Sequence, residues 1–139
     1  MSKYFSLAEL LASDTAKKKG IDNTPTFEQV QHLAELAQWL DGFREFWGGP
    51  VVVSSGFRCD KLNKTVGGAK TSAHLTGWAA DLQPKKGKQS AFNAAFLEWA
   101  KDKQFDQIIR ETSGKTEWLH VGLRSQTGSQ RRMILDINA

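Results

Sequence analysis

Between Thr26 and Ser55 the chain changes its hydrophobic period, and that change does most to narrow the folds open to it. Val30, Leu33, Ala37, Leu40 and Phe43 recur at three- and four-residue steps, a spacing that gathers them on one face of an α-helix. Thr26-Phe27-Glu28-Gln29, directly after Pro25, has the form of a capping box that opens this helix. Gly48-Gly49-Pro50 supplies the stop, and Val51-Val52-Val53-Ser54-Ser55 then reads as a buried, β-branched strand.

Around this pair the other elements fall into order. Ser6-Leu7-Ala8-Glu9 is a second capping box, opening a short helix expected to end before the Lys-rich segment that contains Gly20. Residues 56–75, rich in glycine and small polar side chains, read as an irregular loop with one short helical turn. Residues 79–82 read as a strand ended by Pro84, and 90–101 as a helix with Phe92, Phe96 and Trp99 on one side. Three more strands are predicted over 105–110, 118–123 and 133–137, with hairpin-scale gaps between the last of them. Helices early and strands late predict an α+β fold, a mainly antiparallel sheet flanked by helices, rather than a doubly wound parallel one. With 139 residues and no repeat, low-complexity tract or linker, a single domain over 1–139 is expected.

Composition excludes several classes. Hydrophobic residues make up 40% and charged residues 24%, the balance of an ordinary globular protein, and no apolar run is long enough to cross a bilayer. The 19 basic and 15 acidic residues leave a net charge of +4, which suits a polyanionic partner. Its clusters, Lys17-Lys18-Lys19, Lys85-Lys86 with Lys88, and Arg131-Arg132, are scattered and not interleaved with aromatics. They read as solvated surface and argue against a nucleic-acid partner. Cys59, the single cysteine, excludes an internal disulfide and a Cys-rich zinc site. The first residues lack a basic stretch followed by a long apolar one, so synthesis in the cytoplasm without a signal peptide is expected, as is a monomer.

The chemistry rests on few residues. Of three histidines, His32 lies within the long helix and reads as a partly exposed helix residue. His74 and His120, with Asp81, make up the set of three ligands that catalytic zinc takes while leaving a fourth position for water. Zinc lowers the pKa of its water to about 7, and a carboxylate must then take the proton. Glu117, three residues before His120, is the first candidate for that base. Residues three apart on a regular strand face opposite ways, so Glu117 requires a turn or bulge after Ser113-Gly114-Lys115. Glu111 is the second candidate. On composition alone, these groups read more readily as surface polar residues than as a metal site.

A resemblance bears on that choice. Ser72-x-His74-x-x-Gly77-x-Ala79-x-Asp81, followed by Glu117-x-x-His120, resembles the signature of the zinc D-Ala-D-Ala carboxypeptidase and peptidoglycan-peptidase superfamily. That M15-like group includes D-alanyl-D-alanine dipeptidases and phage L-alanyl-D-glutamate endolysins. Val53-Ser54-Ser55-Gly56-Phe57-Arg58 is similar to the group's strand and Ser-Gly-Tyr-Arg turn, with Phe57 where tyrosine is more usual. Leu62-Asn63, Val66-Gly67-Gly68 and Asp106-Gln107-x-Ile109 extend the likeness over most of the chain, from about Phe5 to Gly122. The resemblance implies a hedgehog/DD-peptidase-like fold, with zinc on His74, Asp81 and His120 and Glu117 as general base and acid. It implies Arg58 against the developing oxyanion and Ser72 at the substrate-binding edge. The implied substrate is a peptidoglycan stem peptide, cut by a carboxypeptidase or endopeptidase that meets the cell wall after phage-type release. The alternative it leaves open is a non-catalytic, zinc-containing wall-binding module on the same fold.

Overall fold

A computed structural model describes residues 2–138. The chain runs α1 (Leu7–Leu11), α2 (Asp14–Lys19), α3 (Phe27–Trp47), β1 (Val51–Ser55) and α4 (Asp60–Thr65). A 3-10 turn (Ala73–Thr76) then leads to β2 (Ala79–Pro84), α5 (Gln89–Ala100), β3 (Gln107–Ser113), β4 (Thr116–Gly122) and β5 (Met133–Asn138). Five strands form one sheet in the order β1-β2-β4-β3-β5. Pairings β1–β2, β2–β4 and β3–β4 are antiparallel and β3–β5 is parallel, so the fold is α+β with a mixed sheet.

The two faces of the sheet have separate uses. Leu33, Leu36, Leu40 and Phe43 of α3 and Phe92, Phe96 and Trp99 of α5 close over Leu82, Ile108, Leu119 and Val121. The Phe43 ring meets Phe92 edge-on at 5.2 Å and Phe96 at 4.5 Å, the spacings that aromatic rings prefer. Because side chains alternate along a strand, burying Leu82, Leu119 and Val121 turns Asp81 and His120 to the other face. No helix among the described residues is long and apolar enough to cross a membrane.

Residues 56–75 hold both α4 and the 3-10 turn where one short helical turn was expected, and two larger features also differ. The Lys-rich segment is itself helical: Ser13 caps α2, and Gly20, at φ +64°, closes it by donating its N–H to the Ala16 and Lys17 carbonyls. Lysines in a last turn complement the helix dipole, and Ala16 and Ile21 anchor the helix against Leu62 of α4. The last strand does not form a hairpin with β4. Residues 123–132 instead pass across the end of β3, and β5 pairs on its far side. A period-2 pattern defines a strand but not its neighbour.

Asp106 holds that crossing. Its buried carboxylate accepts from Arg131 Nε (2.8 Å), Arg131 Nη2 (2.9 Å) and the Arg131 backbone N–H (3.1 Å), while Met133 N–H donates to the Asp106 carbonyl. Burial pushes the Asp106 carboxyl up, but the hydrogen bonds and charge of Arg131 outweigh it and hold the group below its ordinary value. A depressed carboxylate pKa stabilises the fold above the unfolded value and loses that contribution as pH falls through the folded one. Arg131→Ala is therefore expected to cost about 1–2 kcal/mol at pH 7, discounted for the half-exposed guanidinium. In urea titrations the gap from wild type should shrink as pH falls below that of an ordinary carboxylate. A gap independent of pH would show that the pair does not hold the strand.

Candidate metal centre

The register of β2 on β4 makes Asp81 and His120 direct cross-strand partners. His74 reaches them from the 3-10 turn, whose start and end have clear local causes. Ser72 caps the turn, its Oγ accepting from the His74 N–H at 3.1 Å. Gly77 ends it at φ +84°, where an added Cβ would lie 2.8 Å from the Gln29 carbonyl oxygen. Only glycine fits there without displacing α3. His32 supports the same turn from α3, bonding the Thr76 carbonyl through Nδ1 at 2.7 Å and stacking on Trp78 at 4.0 Å.

His74 Nε2 lies 3.2 Å and His120 Nδ1 lies 3.1 Å from the same oxygen, Oδ1 of Asp81. The three side chains are buried, and one ligand atom from each lies within 4.8 Å of the others. Protons alone serve this arrangement poorly. His74 Nδ1 stands 2.6 Å from the Gly56 carbonyl, which only accepts, so that nitrogen carries the hydrogen. Burial lowers the pKa of His74 more than Asp81 raises it, so the ring is neutral and Nε2 turns a lone pair toward a carboxylate. Burial likewise opposes the charge on Asp81, but positive charge at the two ring positions and hydrogen bonding across them hold its carboxyl far below the ordinary range, so the site favours a carboxylate with a cation beside it. Three electron-pair donors of the types zinc prefers thus face one another in a dry site, and they fit a divalent cation. Gly56 permits this because its backbone packs on α1: a Cβ there would lie 2.2 Å from the Leu10 carbonyl oxygen.

Arg58 stands beside the triad, with Nη2 3.7 Å from Asp81 Oδ2. Ser55 Oγ (3.2 Å) and Asn63 Oδ1 (3.0 Å) orient its guanidinium, and Asn63 is tied in turn to the Ala69 carbonyl. Burial lowers the pKa of Arg58, and the charge of Asp81 works against that.

Of the two glutamates weighed for the base, Glu111 faces the triad. The β3–β4 ladder runs unbroken from Ser113↔Thr116 to Gln107↔Gly122. It turns at Gly114-Lys115, with Gly114 at φ +61°, the glycine-first two-residue turn that suits hairpin twist. The bulge that Glu117 needed is therefore absent. Its exposed side chain lies on the opposite face beside Ser90, Asn93 and Glu98, which corrects its placement at the metal. Glu111, partnered with Trp118, shares the face of His120 and accepts from Trp118 Nε1 at 3.0 Å. Burial, then the charge of Asp81, raises the Glu111 pKa.

These groups line one groove of about 730 Å³. Ser72 lies on its rim, its hydroxyl engaged with His74. Gln126, which nothing in the sequence singled out, and Arg131, read there as solvated surface, also line it. Gln126 Nε2 straps the rim together by donating to the Lys70 and Ser72 carbonyls at 3.0 and 2.9 Å.

A family model described as Peptidase M15 matches residues 3–122, which include the triad, Arg58 and Glu111. No curated protein matches the chain. Equilibrium dialysis of chelator-treated protein is expected to give one zinc per chain. His74→Ala, Asp81→Ala and His120→Ala should each weaken binding at least about a hundredfold, while Glu117→Ala leaves it unchanged. Undiminished zinc binding in any of the three would remove that residue from the centre.

Proposed function

The chain belongs to the peptidase M15 family, and from that premise we propose that it is a zinc metallopeptidase hydrolysing amide bonds in peptidoglycan stem peptides. One observation carries the reading: a buried His-Asp-His triad shares a groove with a half-buried glutamate whose pKa is raised. A site that only held a metal for stability would have no use for that glutamate, which disfavours a non-catalytic wall-binding module.

His74, Asp81 and His120 would hold the ion. Zinc bound there supplies Lewis acidity, polarising a carbonyl and acidifying water. Glu111 is the general base and acid in place of Glu117: it takes the proton of the attacking water and returns it to the departing amine. Burial and the neighbouring Asp81 bring its proton affinity closer to neutrality, where one group serves both transfers. The Trp118 N–H fixes the direction of its carboxylate. Arg58, pre-oriented by Ser55 and Asn63, sets a positive charge beside the oxygen that becomes anionic when the carbonyl is attacked. Ser72 acts at the substrate-binding edge mainly by holding the turn that carries His74.

Mass spectrometry of purified muropeptides tests the assignment. Glu111→Gln is expected to retain zinc and lose about 10²–10⁴ in kcat, whereas Glu117→Gln should stay near wild type. The acid limb of kcat/KM should follow the ionisation of Glu111 and be lost in Glu111→Gln, because turnover needs the ionised carboxylate and fails as pH falls through its pKa. Loss of turnover in Glu117→Gln with Glu111→Gln unaffected would reverse the assignment.

A further inference from the structure

Two strands away from the metal centre the groove floor turns aliphatic. Asp81, His120, Ile109 and Leu135 are successive cross-strand partners over β2, β4, β3 and β5. The next row on the same face runs Trp118, Glu111, Ile137. Leu135 and Ile137 line the same groove as the triad, yet 37% and 43% of their surface is exposed. Between them Asp136 points to the opposite face and pairs with Arg110 through both carboxylate oxygens. Leu135 and Ile137 therefore stand on the groove side, while Ile134 and the Asp136–Arg110 ion pair stand on the other. β5 starts at Met133, beyond the last residue that the family model matches, so this ledge is a feature of this chain outside the matched region.

We propose that Leu135 and Ile137 form an aliphatic subsite that receives a substrate side chain about three residues from the scissile bond. The substrate class is then an extended peptide with an aliphatic chain at that position, not a dipeptide. This rests on the peptide-hydrolysing reading of the groove. Two strand spacings separate His120 from Leu135, about 10 Å, and an extended peptide advances about 3.3 Å per residue, so three residues span the gap. Continuity with the catalytic row selects substrate as the occupant over a second copy of the chain. At about 25 cal/mol per Å², covering some 60 Å² of aliphatic surface corresponds to about a tenfold gain in affinity.

The test is calorimetry of zinc-loaded protein with reduced-amide peptides, which cannot be cleaved. They extend one to four residues to either side of the reduced bond and carry glycine or leucine at the third position. Wild type is expected to bind the leucine peptide about tenfold more tightly than the glycine peptide, on one side of the bond only. Leu135→Thr/Ile137→Thr leaves residues of high strand propensity at both positions and should abolish that gain, with zinc stoichiometry and affinity for the shortest peptides unchanged. An equal gain in the variant, or no gain in wild type, overturns the subsite. So does a wild-type dimer that this variant converts to monomer in sedimentation, because the ledge would then be covered by a second copy. The wild-type series alone decides the question if the variant fails to fold. Cleavable peptides are assayed separately: a leucine gain without any hydrolysis would sink the peptidase reading and leave the subsite standing.

Discussion

One carboxylate oxygen, Oδ1 of Asp81, receives both imidazoles, and most of the molecule can be understood as what brings them there. The β2–β4 register sets His120 opposite Asp81. The Gly56 carbonyl fixes the hydrogen on His74 Nδ1 and leaves Nε2 as a bare donor. Gly56 itself rests against α1, and Gly77 lets the turn carrying His74 press on α3. Small changes in backbone packing far from the groove therefore translate into misplaced ligand atoms, because the pocket is buried and has little slack.

The sheet resolves the conflict between a dry core and a charged site by giving each a face. α3 and α5 cover one side with aromatic and aliphatic side chains. On the other, Asp81 and His120 face the groove that Glu111 and Arg58 also line. Burial then has opposite consequences for neighbours: it keeps His74 neutral, fit to bind a cation, and pushes Glu111 toward holding a proton. On the proposed reading, a single environment thus prepares a ligand and an acid-base group for different tasks.

Much of this was legible in the sequence, for identifiable reasons. Helix α3 follows from its apolar period and capping box, and both signals are local. His74, Asp81 and His120 stood out because those residue types, at that spacing, match a ligand set and a known motif. Closeness in sequence pointed to Glu117, whereas the pleat turns it to the opposite face and cross-strand pairing with Trp118 puts Glu111 on the face of His120. The place of β5 was hidden for a related reason, since its partner β3 is not its neighbour in sequence. Gln126 and Arg131 meet their partners across gaps of 56 and 25 residues, and single-residue chemistry carries no trace of such contacts.

The central claim is that two differently oriented imidazoles present bare nitrogens to one cation. Long-range ¹H–¹⁵N correlation NMR on the zinc-loaded protein reads this directly. The account predicts a neutral His74 protonated at Nδ1 and a neutral His120 protonated at Nε2, the two rings in opposite tautomers. Two imidazolium rings, or matching tautomers with zinc present, would contradict it.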